Sequence, residues 1–308
     1  MDRPANRVLD VPARAAERPA ALSTAARRWR AARRHWLLWV GLAIVALYLL
    51  IALLAPLIAP YDPVQSFTGA RLRPPSPGHP FGTDDFSRDV LSRTIHGTRV
   101  SVTVGLSVTL LTTLVGGVLG LLVGYYRSLD RVLMRVLDGL MAFPAILLAI
   151  AVAAALRPSL GTVIVALALV YTPYVVRVLR APVLANRELA YVEAARNLGA
   201  SDLRILLVHL LPNSVAPLVV QATFTFSFAV LAEATLSFLG VGVPPPTPSW
   251  GNMLSDAKIV LQQAPWLTWA PGLALVIVTL GLNLLGDGLR DILDPRHVTQ
   301  VGGAERPR

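Results

Sequence analysis

Long, nearly uninterrupted apolar runs constrain the fold of this chain more than any other sequence feature. The hydrocarbon core of a bilayer is about 30 Å thick, and a helix of about 20 apolar residues crosses it. Six segments come close to that length or exceed it: 36–58, 101–125, 139–156, 161–178, 214–235 and 268–287. Only the residues RPSL separate the third segment from the fourth, which predicts a tight hairpin. We therefore predict an all-α integral membrane protein with six transmembrane helices.

The composition agrees with a membrane protein and excludes several other classes. Of 308 residues, 54% are hydrophobic and 15% are charged. The chain lacks cysteine, which excludes disulfides, thiolate metal sites and a cysteine nucleophile. A net charge of +10 is typical of nucleic-acid binding in a soluble protein, but the basic residues here cluster beside apolar spans. We therefore expect contact with membrane lipid, no nucleic-acid partner and no metal site.

The distribution of charge predicts how the chain is divided and oriented. We expect a disordered Arg/Ala-rich tail at 1–35, a first transmembrane helix at 36–58, an extracytoplasmic segment at 59–100, a five-helix core at 101–290 and a tail at 291–308. Most of the 28 Lys and Arg residues lie in the tails or in the loops on the same side as the tails. The positive-inside rule therefore places both termini in the cytoplasm.

Several kinds of catalytic chemistry have no motif in this chain. The single lysine, Lys258, lies in SDAKIV and not in a phosphate-binding loop, so the chain cannot hydrolyse ATP by that route. No His-Glu-x-x-His pattern or Gly-x-Ser-x-Gly elbow occurs, which argues against an intramembrane hydrolase. The spans carry no run of acidic residues suited to a proton relay, which argues against a proton-driven carrier.

A few polar residues interrupt the spans. Glu233 lies near one end of the fifth span, and a buried carboxylate must face the bundle interior, a cavity or a partner. It is either a structural, hydrogen-bonded group or part of a translocation path. Asn283 and Asp287, in the last span, leave the same two alternatives open. Glycines at 116, 120 and 124 share one helical face, which predicts close packing within the bundle in preference to a dimerisation face.

The polar segment 187–213 separates two apolar spans. Residues 187–198 favour a helix with a small-residue face, and Gly199 suits its C-terminal end. Ser201 can cap a second helix, which we expect Pro212 to stop before the fifth span. The spacing predicts either a docking element or a pair of interfacial amphipathic helices.

Within this segment, EAARNLG followed by HLLP resembles the EAA signature of bacterial ABC-importer permeases. His209 fills a position that is usually Ile in that signature, as in the peptide-importer branch. Three further stretches resemble the C-type subunits of the dipeptide/oligopeptide permease family: HPFGTDDFSRDVLSRTIHGTRVSVTVG (79–105), LSFLGVGVPPPTPSWGNML (236–254) and NLLGDGLRDILDPR (283–296). The resemblance covers roughly residues 36–297.

This resemblance implies a MetI-like ABC-importer permease fold whose cytoplasmic coupling helices sit in a groove of an ATPase. The implied partners are a B-type permease subunit, two ATPase subunits that bind ATP and Mg, and an extracytoplasmic solute-binding protein, in the bacterial inner membrane. No cofactor is expected in this chain itself. The residues expected to couple to the ATPase are Glu193, Ala194, Ala195, Arg196, Gly199, Ala200, Asp202 and Arg204, and those expected on the translocation path are Glu233 and Asn283.

The expected function is import of di- and oligopeptides by alternating access, driven by the partner ATPases. The alternatives are another solute for the same machinery, such as glutathione or a nickel complex, or an ATP-independent channel or secondary carrier. In the extracytoplasmic segment, Val90, Leu91, Ile95 and Val100 predict an amphipathic helix. That helix either meets the binding protein or lies along the bilayer beside the second span.

Overall fold

The computed structural model describes residues 36–293, and this part of the chain is helical apart from loops and three isolated β-bridges. The tail predicted at 1–35 and residues 294–308 of the C-terminal tail lie outside the described residues. The helices are α1 (Trp36–Ile58), α2 (Val90–Tyr125), α3 (Arg127–Met141), α4 (Ala145–Ala155), α5 (Leu160–Asn186), α6 (Ala190–Asn197), α7 (Leu211–Phe238), α8 (Trp250–Ala257) and α9 (Trp266–Leu293). A short helical turn, Asp202–Arg204, and a π-helical segment, Ile205–Leu210, lead into α7.

Five helical segments are long and apolar enough to cross a membrane, and the count rises to six if one bent pair of helices is a single span. The bent pair is α3 and α4, whose axes turn by 89°. The span predicted at 139–156 is therefore shorter and begins later than expected, since α4 has 11 residues and a length of about 16 Å. The break falls at Phe143 and Pro144, because a proline disfavours helical geometry in the residue before it.

Helix α3 lies against α5 through two ion pairs. Asp130 accepts two hydrogen bonds from the guanidinium of Arg180, at 2.6 and 2.8 Å. Asp138, two turns further along α3, accepts a hydrogen bond from Arg177. Both carboxylates of α3 thus face the bundle, and they hold the bent pair beside the fourth predicted span.

Helix α2 corrects our expectation of a separate amphipathic helix before the second span. It runs without a break for 36 residues from Val90, so the expected surface helix is the first part of the span itself. The carboxylate of Asp89 caps its start by accepting a hydrogen bond from the Ser92 N–H at 2.8 Å. Val90 and Val100 are buried, because Val90 packs against helix α8 and Val100 packs in a cluster that includes α7 side chains.

The glycine ridge of α2 packs inside the bundle, as predicted. A Cβ atom added at any of its three positions would come within 2.6 to 2.9 Å of a side chain of α5. The glycines are Gly116, Gly120 and Gly124, and the side chains that they meet are Val175, Leu179 and Val183. The absence of side chains lets the two helices approach closely over two turns.

The end of the bundle opposite segment 187–213 is covered by residues 59–89 and 239–265, which we call the platform. Its centre is an ionic cluster in which Asp84 accepts a hydrogen bond from Arg88 at 2.7 Å and lies 3.5 Å from Arg93. Arg93 also donates to the Pro63 carbonyl at 3.2 Å. Asp84 and Arg93 are 6% and 3% exposed, so these charges are satisfied within the chain.

Candidate functional site

Segment 187–213 forms a surface turn at one end of the bundle, and its inner side is anchored in an apolar cluster. We call residues 187–204 the coupling turn. Helix α6 begins after Leu189 and ends at Asn197, and only Val192 of its residues is buried. Val192 packs with Ile205 and Leu210 and with the α5 side chains that line this end of the bundle. The anchor leaves the remaining residues of α6 free to face outward.

Gly199 ends α6 in the conformation that the sequence predicted. Its φ angle is +83°, and its N–H donates to the Arg196 carbonyl at 3.0 Å. The N–H of Ala200 donates to the Ala195 carbonyl, also at 3.0 Å. These two bonds form a Schellman motif, in which a left-handed residue satisfies the last helical carbonyls. A Cβ at Gly199 would meet nothing within 4 Å, so the position requires glycine for its backbone conformation and not for space.

The second half of the segment departs from the prediction at Pro212. Ser201 does cap the next turn, accepting a hydrogen bond from the Arg204 N–H. The chain then continues through the π-helical segment into α7 without stopping. The N–H of Leu211 donates to the Leu206 carbonyl, five residues back. Pro212 therefore lies inside one continuous helical run and does not end it, because the i to i−5 bonding before it replaces the regular ladder that a proline interrupts.

Two tyrosines at the end of α2 hold the coupling turn. The Tyr125 hydroxyl donates to one oxygen of Asp202 at 2.6 Å, and the Tyr126 hydroxyl donates to the other at 2.9 Å. We call these three residues the tyrosine clamp. The hydrogen bond to Asp202 raises the pKa of Tyr126. Arg196 donates to the Tyr125 hydroxyl at 3.3 Å, and its guanidinium carbon lies 5.7 Å from the centre of that ring.

A second contact joins the start of the coupling turn to the same end of α2. Arg187 donates to the carbonyls of Gly124 and Tyr125, at 2.8 and 3.2 Å, and its side chain is 11% exposed. A cation at this position satisfies carbonyls that the helix leaves open at its C-terminus. Glu188 bonds to Arg187 and Arg127, and these two arginines lower the pKa of Glu188.

The sequence did not identify the tyrosine clamp. Tyr125 and Tyr126 are separated from Asp202 by 77 and 76 residues, and nothing in the local pattern joins them. The available signal was a pair of adjacent tyrosines at the end of a span, which is also typical of the aromatic belt at a membrane surface.

The outer surface of the coupling turn combines charged, small and apolar side chains. Glu193, Ala194 and Arg204 are exposed, whereas Ala195 and Ala200 are partly buried. Leu198 and Leu203 project from the turn with exposed fractions of 88% and 66%. Apolar tips beside small residues and charges are typical of a protein-docking surface. The eight residues that the sequence indicated thus lie together on one turn.

Glu233 and Asn283, the two residues expected on a translocation path, lie in different environments. Glu233 is fully buried, and its carboxylate accepts hydrogen bonds from Ser237 at 2.8 Å and from Ser101 of α2 at 3.3 Å. This geometry supports the structural alternative, because the carboxylate joins α7 to α2 inside the chain. Asn283 and Asp287 are exposed on α9.

The part of the chain that the structure describes contains no group of three or more His, Cys, Asp or Glu residues that could hold a metal ion. The candidate site is the exposed outer surface of the coupling turn. The described residues thus form a bundle of helices long and apolar enough to span a membrane, with an exposed, firmly held turn at one end.

Comparison with known proteins identifies the family. Residues 116–298 match the family described as binding-protein-dependent transport system inner membrane component. Residues 23–75 match the N-terminal TM domain of oligopeptide transport permease C. The chain belongs to the family of binding-protein-dependent transport system inner membrane components, and it is a transporter permease subunit. The resemblance inferred from the EAA segment is confirmed.

Similar proteins with curated names are peptide permeases. The dipeptide transport system permease protein DppC of Escherichia coli K12 is 48% identical over 275 residues, which are 87% of this chain and 92% of the relative. DppC of Alkalihalophilus pseudofirmus is 42% identical over 278 residues, 89% of this chain and 91% of the relative. A putative peptide transport system permease protein of Brucella suis is 49% identical over 257 residues, 83% and 87% of the two chains.

Proposed function

We propose that this chain is the C-type permease subunit of an ABC importer for di- and oligopeptides. It pairs with a B-type permease, and two ATPase subunits that bind ATP and Mg drive it. An extracytoplasmic protein delivers the solute. The observation that carries this proposal is the coupling turn, an exposed docking surface in a chain without a phosphate-binding loop. A subunit of this kind has to receive energy from a partner through a contact.

The coupling residues divide into two groups by what they contact. Arg196 and Asp202 bond to the tyrosines of α2, so they set the position of the turn. The side chains of Glu193 and Arg204 are exposed and make no hydrogen bond or ion pair within residues 36–293, so their charges can fix the register of a partner. The small side chains at 194, 195 and 200 allow close approach, and Gly199 fixes the bend.

Import then proceeds by alternating access. Nucleotide binding closes the ATPase pair, the coupling turns of the two permeases move with it, and the cavity between the permeases opens to the opposite side. The positive-inside rule places the coupling turn and both termini in the cytoplasm and the platform outside, in the inner membrane. The substrate class follows the printed names of the relatives, which are peptide and dipeptide permeases. Glutathione and nickel complexes remain the alternative solutes for the same machinery.

Two glycine variants test the proposal because they share one backbone strain. Gly199 and Gly240 have φ angles of +83° and +81°, and a Cβ at either would meet nothing within 4 Å. Replacing either glycine by Val costs about 1–2 kcal/mol of left-handed strain. In the reconstituted complex, Gly199→Val should abolish the ATPase stimulation that loaded binding protein produces. Gly240→Val, at the platform, should retain it.

If both variants lost ATPase stimulation equally, the backbone strain would be acting through stability alone. That result would contradict a coupling role for this turn. Glu193→Lys provides a second test, because it reverses a charge without changing the backbone. We expect it to insert normally and to lose stimulation. Solute transport by the purified chain in liposomes without an ATPase would instead favour the channel or carrier alternative.

A further inference from the structure

Helix α2 differs from the other single-segment spans in lacking proline. It runs for 36 residues, about 54 Å. Every other helix among the five single-segment spans of residues 36–293 contains proline within it: Pro56 in α1, Pro173 and Pro182 in α5, Pro217 in α7 and Pro271 in α9. Proline is the commonest cause of sharp kinks, so α2 lacks the kink sites of the other four spans, and its glycines at 116, 120 and 124 are packed against α5.

The coupling turn is fastened to the end of α2 at both of its own ends. Arg187, at its start, donates to the last carbonyls of α2, and Asp202, beyond Gly199, receives the two hydroxyls of the tyrosine clamp. These bonds go to an ionised carboxylate at an exposed position, so they fix the geometry of the turn and add little to stability. Both ends of the coupling turn therefore bind to the same end of α2.

The chain that leads from the coupling turn into α7 does not form a regular α-helix. After Arg204 the chain passes through the π-helical segment Ile205–Leu210, then Pro212, then Pro217 within α7. A π-helical stretch and prolines each disturb the regular i to i−4 ladder that stiffens a helix. The noncovalent route through the tyrosines thus reaches a helix that contains neither a proline nor a π-helical stretch.

The far end of α2 is fastened into the platform. The indole N–H of Trp250 donates to the Thr94 carbonyl at 3.0 Å, and Trp250 is fully buried. A Cβ added to Gly97 would lie 2.8 Å from the Trp250 ring. Arg93, one residue before Thr94, lies 3.5 Å from Asp84 in the ionic cluster. The first two turns of α2 and the platform therefore move together.

We propose that Tyr125 and Tyr126 are positioning residues that make the coupling turn and α2 one rigid unit, which carries movement of the turn to the platform. The proposal rests on the proposed function, since it names the route by which the ATPase side and the solute side of the importer communicate. The tyrosines act through Asp202 and need not contact the ATPase themselves.

The geometric test uses the absence of cysteine in this chain, which allows two spin labels to be attached to it before it is assembled with its partners. Cysteines replace Leu189 on the turn and Leu106 on the exposed side of α2, and the distance between them is measured by pulsed EPR in the assembled complex. We expect one narrow distribution that does not change when a nonhydrolysable ATP analogue is bound. In the Tyr125→Phe/Tyr126→Phe background the distribution should broaden.

A distance that shifts with the nucleotide in the chain with both tyrosines intact would overturn the rigid unit. An unchanged narrow distribution in the double Phe variant would also overturn it. This measurement does not depend on the solute or on the direction of transport. A complex that shows no stimulated ATPase would contradict the proposed function and leave the distance result standing as a separate finding.

The functional test compares the same variant with a matched tyrosine. Tyr125→Phe/Tyr126→Phe keeps both rings and removes only the hydroxyls. We expect a loss of about 5-fold or more in ATPase stimulation by loaded binding protein. Basal ATPase activity and co-purification of the ATPase subunits should persist. Tyr174→Phe, on the exposed side of α5, is the control and should behave like the parent chain.

A positioning role also predicts that the losses of ATPase stimulation caused by the three substitutions are not additive. Asp202→Ala added to the double Phe variant should cause little further loss, because the three residues act through one contact. Additive losses of ATPase stimulation would show that the three residues do not act through one contact. A parallel fall in basal activity, stimulated activity and yield would indicate general destabilisation and would overturn the positioning role as well.

Discussion

The two ends of this bundle are built in opposite ways. At the platform, Asp84 and the adjoining Arg93 of α2 are buried, at 6% and 3% exposure, and lie 3.5 Å apart. The coupling turn leaves Glu193 and Arg204 exposed and places Leu198, 88% exposed, at its tip. One end thus pairs its central charges inside the chain, and the other presents charges and apolar side chains that a partner can contact.

This difference shows how a permease subunit can hold a fixed structure and still present a surface to a partner. The buried ion pair at the platform stabilises the first turns of α2. The coupling turn is held in position by its hydrogen bonds to α2, but its outer side chains are exposed. Substitutions at the platform should therefore change stability, and substitutions at the tip of the turn should change binding. The following predictions test that division.

The largest expected effect is at the platform. Asp84→Ala leaves the buried Arg93 without its nearest carboxylate, and loss of one partner of a buried ion pair costs about 3–5 kcal/mol. Asp62→Ala, which removes an exposed carboxylate in the same segment, is the control. Thermal unfolding of the detergent-solubilised chain should show a large drop in Tm for the first variant alone. Similar values for both variants would remove the claim that buried charges stabilise the platform.

A smaller loss is expected when the contact between Trp250 and α2 is weakened. Trp250→Phe removes the indole N–H that donates to the Thr94 carbonyl, which keeps the Thr98 hydroxyl as a second donor, so we expect the loss of one hydrogen bond, about 0.5–1.5 kcal/mol. Trp269→Phe changes an exposed tryptophan, 68% exposed, by the same chemistry. Only the first variant should lower Tm. A drop of the same size at Trp269 would show that the loss of indole, and not the contact, is responsible.

The smallest change in stability is expected at the tip of the coupling turn, where the effect should be on binding. Replacing both Leu198 and Leu203 by Ala removes exposed side chains, so stability should change by about 0.5 kcal/mol or less. Retention of the ATPase subunits should weaken by about 1–2 kcal/mol, or roughly 5–30-fold in Kd, as for apolar anchors in an interface. Leu261→Ala, 48% exposed at the platform, should leave retention unchanged. If all variants retained the ATPase subunits equally, the proposed difference between the two ends of the bundle would be wrong.

Local patterns in the sequence predicted part of the fold. The apolar runs predicted six spans, of which five are single helices in the structure, and Gly199 predicted the end of α6, because both depend on residues close together in the chain. The spacing of Gly116, Gly120 and Gly124 predicted close helix packing for the same reason. These features need no knowledge of distant contacts.

Features that depend on distant contacts could not be predicted. The first turns of α2 look like a surface helix because charged residues such as Arg93 lie among the apolar ones, yet those charges are buried by loop residues earlier in the chain. The tyrosine clamp pairs residues 76 and 77 positions apart. Pro212 was expected to stop a helix, but the π-helical segment before it lets the chain continue into α7.

Site-specific crosslinking tests the central claim most directly, because the only cysteine in the chain would be the one introduced. A photoactivatable crosslinker is attached at Leu198→Cys in the reconstituted complex, with Leu261→Cys at the platform as the reference position. The account predicts that the label on the coupling turn gives an adduct with the ATPase subunit and that the label on the platform does not. The account would be contradicted if the label at position 198 reacted only with lipid while the ATPase remained bound.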